Sequence, residues 1–482
     1  MQRTTPVSLP LGSLLTGKVV AIAGATGFVG TAIRNRIVGR HTVRGLTRSA
    51  YKMSHPDPSD PVEWVHCDAY ALDAVTHALA GTEVLIYLIH SMVPSSRLTQ
   101  ASFQNLDLLI ADNFAKAAKV AGVQQIIYVG GLMPDEEGET SEHLSSRFEV
   151  EQVLQATGIP VTTLRCGMII GPGGSSLKIL LNLVRRLPVM GLPSWSTSQT
   201  QPIAIEDVLR AVELCLENPT VYTGSFDIGG PERLTYRDLI QITAEEMGRT
   251  RLMFLLPFIS VVFSKRWVAT FSSSSADLVG PLIDSLRHTM LVHPNPLQAQ
   301  LETTAIRFRD AVAESMDDQG FPLSNPRQKL KRADRHTIRG QRRVRSVQRL
   351  PLPPGKDARW AVEEYVRWLP QALWLILRCK VEGDQVRFFL RFLPAPLLEL
   401  TVREDGTAHH TVLDITGGLL ANVAESSEGR FEFREVFNGK FVIAAIHEFR
   451  PRLPWFVYNA SQAIVHLMVM RAFGRHLTKL GG

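Results

Sequence analysis

Lys18-Val-Val-Ala-Ile-Ala-Gly24-Ala-Thr-Gly27-Phe-Val-Gly30 is the stretch whose reading decides the fold. It opens on a run of small and β-branched apolar residues, the composition of a parallel strand buried on both faces. Three glycines follow at the spacing GxxGxxG, and Ala32, Ile33 and Ile37 continue at helical spacing. Strand, glycine bend and helix in that order cradle a dinucleotide diphosphate. Gly24 permits the tight turn, Gly27 lets the backbone approach the pyrophosphate, and Gly30 lets the helix pack closely on the strand. The helix N-terminus supplies free N–H groups and a partial positive charge. The spacing alone also fits a glycine bend that holds no ligand.

Downstream, strands and helices alternate. Strands are expected at His41–Thr47, Val62–His66, Glu83–Ile89, Gln125–Val129, Pro160–Arg165 and around Ser225–Ile228, with a long helix over Phe103–Ala121. This alternation predicts an α/β, doubly wound parallel Rossmann sheet. Residues 31–56 contain no acid and carry Arg44 and Arg48 at the second strand. A carboxylate there would suit the ribose hydroxyls of NAD, whereas a guanidinium suits the extra phosphate of NADP, so NADP is expected over NAD. Asp68, after the third strand, fits either an adenine contact or the N-cap of the next helix. Tyr87, His90 and Ser91, at the end of the fourth strand, are candidates to line the nicotinamide pocket, with sheet core the competing reading for Tyr87.

These residues resemble a known family. Gly24-Ala-Thr-Gly27-Phe-Val-Gly30, Arg48, Asp68 and Tyr128-Val-Gly-Gly131 are similar to the atypical and extended short-chain dehydrogenase/reductases and their NmrA-like relatives. Tyr87-Leu-Ile-His-Ser-Met92 and His143-Leu-Ser-Ser-Arg147 resemble a bacterial YbjT-type group of two-domain NAD(P)-binding proteins. The C-terminal domain of that group is of unknown function. The resemblance implies cofactor contacts from Gly24, Thr26, Gly27, Phe28, Val29, Gly30, Arg48, Asp68, Leu88 and His90. It also exposes a departure. Active short-chain reductases carry Tyr-x-x-x-Lys where this chain has His143-Leu-Ser-Ser-Arg147. The spacing keeps both side chains on one helix face, and His143 can exchange a proton near neutral pH. Arg147 can hold a ribose hydroxyl but cannot release its proton. An NADP-dependent oxidoreductase acting on an apolar carbonyl or hydroxyl metabolite, with His143 and Arg147 as catalytic residues, is one implied function. A non-catalytic NAD(P)H-binding sensor or assembly protein, like the NmrA group or the Rossmann-fold accessory subunit of respiratory complex I, is the other.

The chain is long enough for two or three domains at 482 residues, and 45% of them are hydrophobic. The expected layout is residues 1–250 for the nucleotide domain, 251–292 for a helical seam, 293–343 for a basic linker and 344–482 for a C-terminal α+β domain. Within the linker, residues 298–316 are also compatible with helix. Asp207 is expected to cap a helix, and Thr235 to cap the next. In the last domain, Leu373–Val381, Gln385–Phe392, Leu397–Arg403, His409–Asp414, Arg430–Val436 and Lys440–Phe449 read as strands of hairpins. Ala358–Trp368 and Trp455–Leu480 read as helices. An antiparallel sheet closed by a long C-terminal helix is the helix-grip plan, which often encloses an apolar cavity. Arg430-Phe-Glu-Phe-Arg434 and His447-Glu-Phe-Arg-Pro451 alternate charge with apolar residues, so a charged, solvated face is expected. His466 is expected to be packed, and no residue set has defensible metal spacing.

The net charge of +6 is uneven, because residues 327–349 hold ten Lys/Arg against one acid, Asp334. A solvated linker is expected there; nucleic-acid binding is disfavoured by the lack of interleaved aromatics, and a peripheral membrane or protein partner stays open. Four scattered cysteines without CxxC fit a reducing, cytoplasmic setting, with a position at the inner membrane surface as an alternative. No secretory signal is read in residues 1–17. The apolar run Leu252–Phe263 has 12 residues and is too short to span a bilayer.

Overall fold

The structure is a computed structural model that describes residues 17–55, 57, 59–91, 99–134, 141–256, 268, 270–271, 276–323, 344–423 and 429–482. The chain divides into two compact units, Met1–His90 with Asn113–Lys331, and Ser91–Asp112 with Arg332–Gly482.

The first unit is built on a seven-stranded parallel sheet. In spatial order its strands are Gly224–Ile228, Val161–Cys166, Gln125–Gly131, Val84–Tyr87, Val19–Ala23, Thr42–Thr47 and Glu63–His66. The order reverses at Val19–Ala23, which puts the glycine bend at the switch point where open α/β sheets bind ligands. Val20, Ile22, Val84, Ile86 and Ile127 are buried on one face of the sheet and Ala21, Leu85 and Ile126 on the other, which explains the continuous apolar runs. Every expected strand of this sheet is present, with ends shifted by at most two residues, and the helix Phe103–Ala121 is as read.

Residues 293–323 are not linker. Helix Pro296–Glu302 buries Leu297 and Leu301 in the core of the first sheet, and helix Phe308–Ala313 buries Phe308 and Val312 in a neighbouring cluster. Asn295 caps the first of these through Gln298 N (2.9 Å), with Pro296 in its first turn. The rest of the basic segment to residue 343 lies outside the described residues, as do Met92, Pro257–Phe263 of the apolar run and the serine run 272–275. Asp207 is not a cap. It sits in the first turn of helix Ile205–Glu217, pairs with Arg210, and accepts from Ile306 N at 3.0 Å, pinning a distant loop. Thr235 forms a full capping box with Asp238.

The second unit holds seven antiparallel strands. Their spatial order is Leu377–Glu382, Gln385–Leu390, Pro396–Val402, His410–Gly417, Arg430–Val436, Phe441–Phe449 and Val344–Pro351. Thr99–Gln100 adds in parallel to the Val344–Pro351 edge. Helices Ala358–Ala372 and Gln462–Gly481 cover one face. The final helix breaks at Ser461, which separates Trp455–Ala460 from Gln462–Gly481. Tyr365, Phe431, Phe433 and Phe473 meet between sheet and helices at centroid distances of 4.8–5.9 Å, filling the layer in which the helix-grip analogy places a ligand. His466 is pushed down to about 4 by burial, in keeping with a packed side chain.

The alternation of Arg430, Glu432 and Arg434 with Phe431 and Phe433 does sort charges to one face, but that face is not solvated. Glu432, Arg434 and His447 are buried, and Arg434 donates to Asp112 at 2.9 Å. The charges satisfy one another in place of water. No helix among the described residues is long and apolar enough to cross a membrane.

Candidate nucleotide site

Gly24 takes φ +97°, a conformation that glycine alone adopts freely, and a side chain there would come within 3.2 Å of Leu88 Cβ. Gly27 N donates to Gly24 O at 2.9 Å and closes the bend. A Cβ on Gly30 would lie 2.3 Å from Gly24 O and 2.9 Å from Ala25 Cα. Helix Phe28–Ile37 starts at Gly27 without a side-chain cap and without an acid in its first turn. Its first N–H groups have no intrahelical acceptor and point out of the bend. This open cationic end, with no carboxylate to repel an anion, fits a diphosphate. Phe28 packs against the loop after the sixth strand, because side chains at Gly171 and Gly174 would meet its ring at 3.0 and 3.2 Å.

The second strand offers one guanidinium. Arg44 is already engaged: it bonds Glu63 (3.2 Å), Ala80 O (2.6 Å), Ala78 O (3.3 Å) and Thr82 Oγ1 (3.3 Å), clipping the strand to the end of helix Leu72–Leu79. Arg48 is exposed at the strand end, 5.8 Å from the Tyr70 ring. Asp68 does not cap the next helix, whose N-cap is Ala71. Its carboxylate accepts from Tyr70 N at 3.2 Å.

At the end of the fourth strand, Leu88 N donates to Ala23 O at 2.9 Å, which holds Leu88 against Gly24. His90 is exposed just beyond it. Tyr87 is sheet core: its buried ring packs edge-on against Phe114 at 5.3 Å and Tyr128 at 5.9 Å. Ser91 N is bound to Asp107 at 2.6 Å.

Helix Glu142–Gln155, capped by Ser141, carries His143 and Arg147 one turn apart. His143 Nδ1 is shielded from solvent and has no hydrogen-bond partner among the described residues. Burial first, and the Arg147 charge second, push its pKa down to about 3. The proton exchange near neutral pH read from its residue type does not fit these surroundings; a neutral imidazole does. Tyr128 donates to Arg147 O at 3.2 Å. A charge chain that sequence reading missed secures this helix: Arg165 donates to Glu151 at 2.8 and 3.0 Å, and Asp227 meets His293 at 2.6 Å. Its members are scattered over residues 151–293, so no local spacing betrays it.

Comparison with known proteins places this geometry. The NmrA-like family matches over residues 16–264. Among curated relatives, the auxiliary protein GraX of Staphylococcus aureus is 30% identical over 131 residues, 26% of this chain and 40% of GraX. The ceramide reductase of Caulobacter vibrioides is 26% identical over 266 residues, 53% of this chain and 78% of that enzyme. The chain thus spans less than half of GraX. Among solved structures, a nucleoside-diphosphate-sugar epimerase of Staphylococcus aureus shares the fold at 18% identity and TM-score 0.50, covering 62% of this chain and 99% of the epimerase. With a match over half its length and the glycine bend in place, the chain belongs to the NmrA-like family of NAD(P)-binding proteins.

Proposed function

We propose that the first unit binds NADP(H) at the glycine bend and catalyses oxidoreduction of a carbonyl or hydroxyl group on an apolar small molecule. The observation that carries this reading is the shielded Nδ1 of His143, without a partner among the described residues, on the helix where related reductases keep their catalytic pair. The backbone N–H groups at Phe28, Val29 and Gly30 hold the diphosphate, with Thr26 and Gly27 forming the wall of the bend. Leu88 and His90 flank the nicotinamide side, and Asp68 and Arg48 the adenosine side. When bound there, the nicotinamide would supply the hydride. His143 donates a hydrogen bond to the substrate oxygen and stays neutral, a role open to an imidazole with depressed pKa, and the alkoxide left by hydride addition takes its proton from solvent water. Burial first and the Arg147 charge second keep that imidazole unprotonated, and Arg147 offers its guanidinium to the ribose.

With the full chain, NADPH and a panel of apolar carbonyls, His143→Ala is expected to lower kcat about 100-fold, the usual weight of one oxyanion donor. His143→Gln, which keeps a donor, should recover part of it. Because burial pushes the imidazole pKa down to about 3, the wild-type rate should show no ionisation from His143 between about pH 5 and 9. Equal turnover in His143→Ala would remove the residue from the reaction.

Arg48 supports the choice of NADP, since it is the guanidinium of the second strand left exposed. Arg48→Gln should weaken NADPH binding by about 10- to 100-fold and leave NADH binding unchanged, the difference being a charge-assisted hydrogen bond to the 2′-phosphate. Titration calorimetry with both coenzymes decides it. A second reading, nucleotide binding without turnover, is favoured by the replacement of a tyrosine and lysine by His143 and Arg147. It predicts tight NADPH binding with no oxidation by any carbonyl.

A further inference from the structure

We propose that a two-stranded ribbon in the first unit docks on an anionic membrane. The ribbon pairs Leu252–Leu255 in parallel with Val189–Leu192. Alternation gives such a ribbon an inward apolar face and an outward face that is ordinarily polar. Met190, Leu192 and Met253 do point inward, into a cluster with Leu183 and Leu187. The outward positions are apolar as well: Val189 is 49% exposed, its partner Leu252 64% and Phe254 45%. Leu256, also exposed, lies over Gly191, where an added Cβ would come within 2.4 Å of Leu256 Cδ1. A solvent-facing row of large apolar side chains marks a contact surface.

Charge selects the occupant. Both strands start beside the C-terminal end of helix Ser175–Arg186, where four arginines gather. Arg249 donates to Arg185 O at 3.1 Å and Arg251 to Val184 O at 2.6 Å, while Arg185 donates to Asn182 Oδ1 (3.1 Å) and Arg186 to Phe271 O (2.8 Å). These acceptors are neutral, so they fix the guanidinium groups in place without cancelling their charge. The Arg251 pKa is lowered by burial and then by Arg249; that of Arg185 by burial and then by Arg186 and Arg249, with Asp317 opposing. Asp317 is itself engaged in its own turn, accepting from Gln319 N (3.0 Å) and Phe321 N (2.8 Å). The sequence carries the same excess: residues 152–205 and 247–276, which supply both strands and all four arginines, contain no Asp or Glu. A second copy docked face to face would set arginine against arginine. A protein interface also carries about one hydrogen bond per 100–200 Å², and the outward row has no side chain able to make one. An anionic bilayer requires none there: acyl chains receive Leu252, Phe254 and Leu256, and lipid phosphates meet the guanidinium groups.

The test is flotation of the full chain with vesicles of phosphatidylcholine alone and of phosphatidylcholine with one-third phosphatidylglycerol. The wild type is expected to float with the anionic vesicles and far less with the neutral ones. Leu252→Glu with Phe254→Glu should cut the partition coefficient by about 30-fold or more, through lost apolar burial and added repulsion. Arg249→Gln with Arg251→Gln, which keeps an amide donor for each carbonyl, should cost about fivefold per charge, on anionic vesicles only. Unchanged melting curves verify the fold of each double variant. Three results overturn the proposal: no flotation of the wild type, undiminished flotation of the first double variant, or a wild-type dimer in gel filtration that this variant dissociates. The first would leave the face to an acidic protein, the second would assign binding to the basic stretch 327–349, and the third would make the ribbon a contact between copies. If the first double variant unfolds, the second decides alone, and its flotation at the wild-type level overturns the proposal.

Discussion

Alanine at Gly30 is expected to abolish NADPH binding and to lower the melting temperature of the first unit. The added Cβ would stand 2.3 Å from Gly24 O and 2.9 Å from Ala25 Cα, and both obstacles are backbone. The bend cannot yield the space. Gly24 is held at φ +97° with Leu88 on its far side, and the Gly27 N to Gly24 O bond closes the turn. Relief must come from helix Phe28–Ile37 lifting off the strand, which loosens the packing of buried Ile33 and Ile37. Overpacking of a tight core costs about 1–3 kcal/mol, and a backbone obstacle puts this site at the upper end. Lifting the helix also carries its N–H groups away from the diphosphate. Gly27→Ala separates the two effects: its φ of −73° suits alanine and its Cβ would meet Gly24 O at 3.1 Å. That variant should melt within a few degrees of the wild type yet bind NADPH at least about tenfold more weakly, because its methyl group occupies the approach of the pyrophosphate. Calorimetry for binding and scanning calorimetry for melting read the pair. Wild-type affinity in both variants would show that the nucleotide binds elsewhere.

The parallel sheet was legible because strands buried on both faces write unbroken apolar runs, and the glycine spacing marks the first of them. Environment was not legible where it is set by distant residues. Arg44 reads as a basic residue at a cofactor edge, and only the fold shows the carbonyls of Ala78 and Ala80 that occupy it. Tyr87 ends an apolar run, but its ring direction depends on Phe114 and Tyr128. The charge alternation of Arg430–Arg434 assigned the faces correctly, yet burial of the charged face rests in part on Asp112, 322 residues away. One error was avoidable. Asn295-Pro296 is a helix start, Asn as cap and Pro in the first turn, inside a stretch whose polarity suggested a linker. The His143 environment lies between these cases: its helix position was readable, and its depressed pKa required the packing around it.

Glu432→Gln is expected to destabilise the sheet of the second unit and to change how it responds to acid. Glu432 is buried beside Arg434 and two histidines, with Oε1 3.2 Å from His447 Nε2 and 3.4 Å from Arg434 Nη2, and Oε2 3.4 Å from His410 Nε2. Neutralising it takes one carboxylate from Arg434 and leaves the ion pair with Asp112. Breaking a buried ion network in this way costs about 3–5 kcal/mol. Amide exchange in Arg430–Val436 and Phe441–Phe449 should therefore quicken by about two to three orders of magnitude, while peptides from Val19–Ala23 and Val84–Tyr87 keep their rates. Burial by itself would raise the Glu432 pKa, but Arg434 and His447, with hydrogen bonds from His410 and His447, hold it well below 4.5. Its stabilisation is complete above about pH 4.5 and is lost as the pH falls toward the lowered value. Burial lowers the His447 pKa below 6.5 against the pull of Glu432, so its contribution is complete above 6.5 and is lost on acidification below it. The wild type should lose stability in two stages, a gentle decline below about pH 6.5 and a steep one below about 4.5. Glu432→Gln should keep the upper stage and lose the lower. Urea unfolding of the second unit across this pH range measures both, and an unchanged lower stage in the variant would mean that Glu432 carries no charge in the folded sheet.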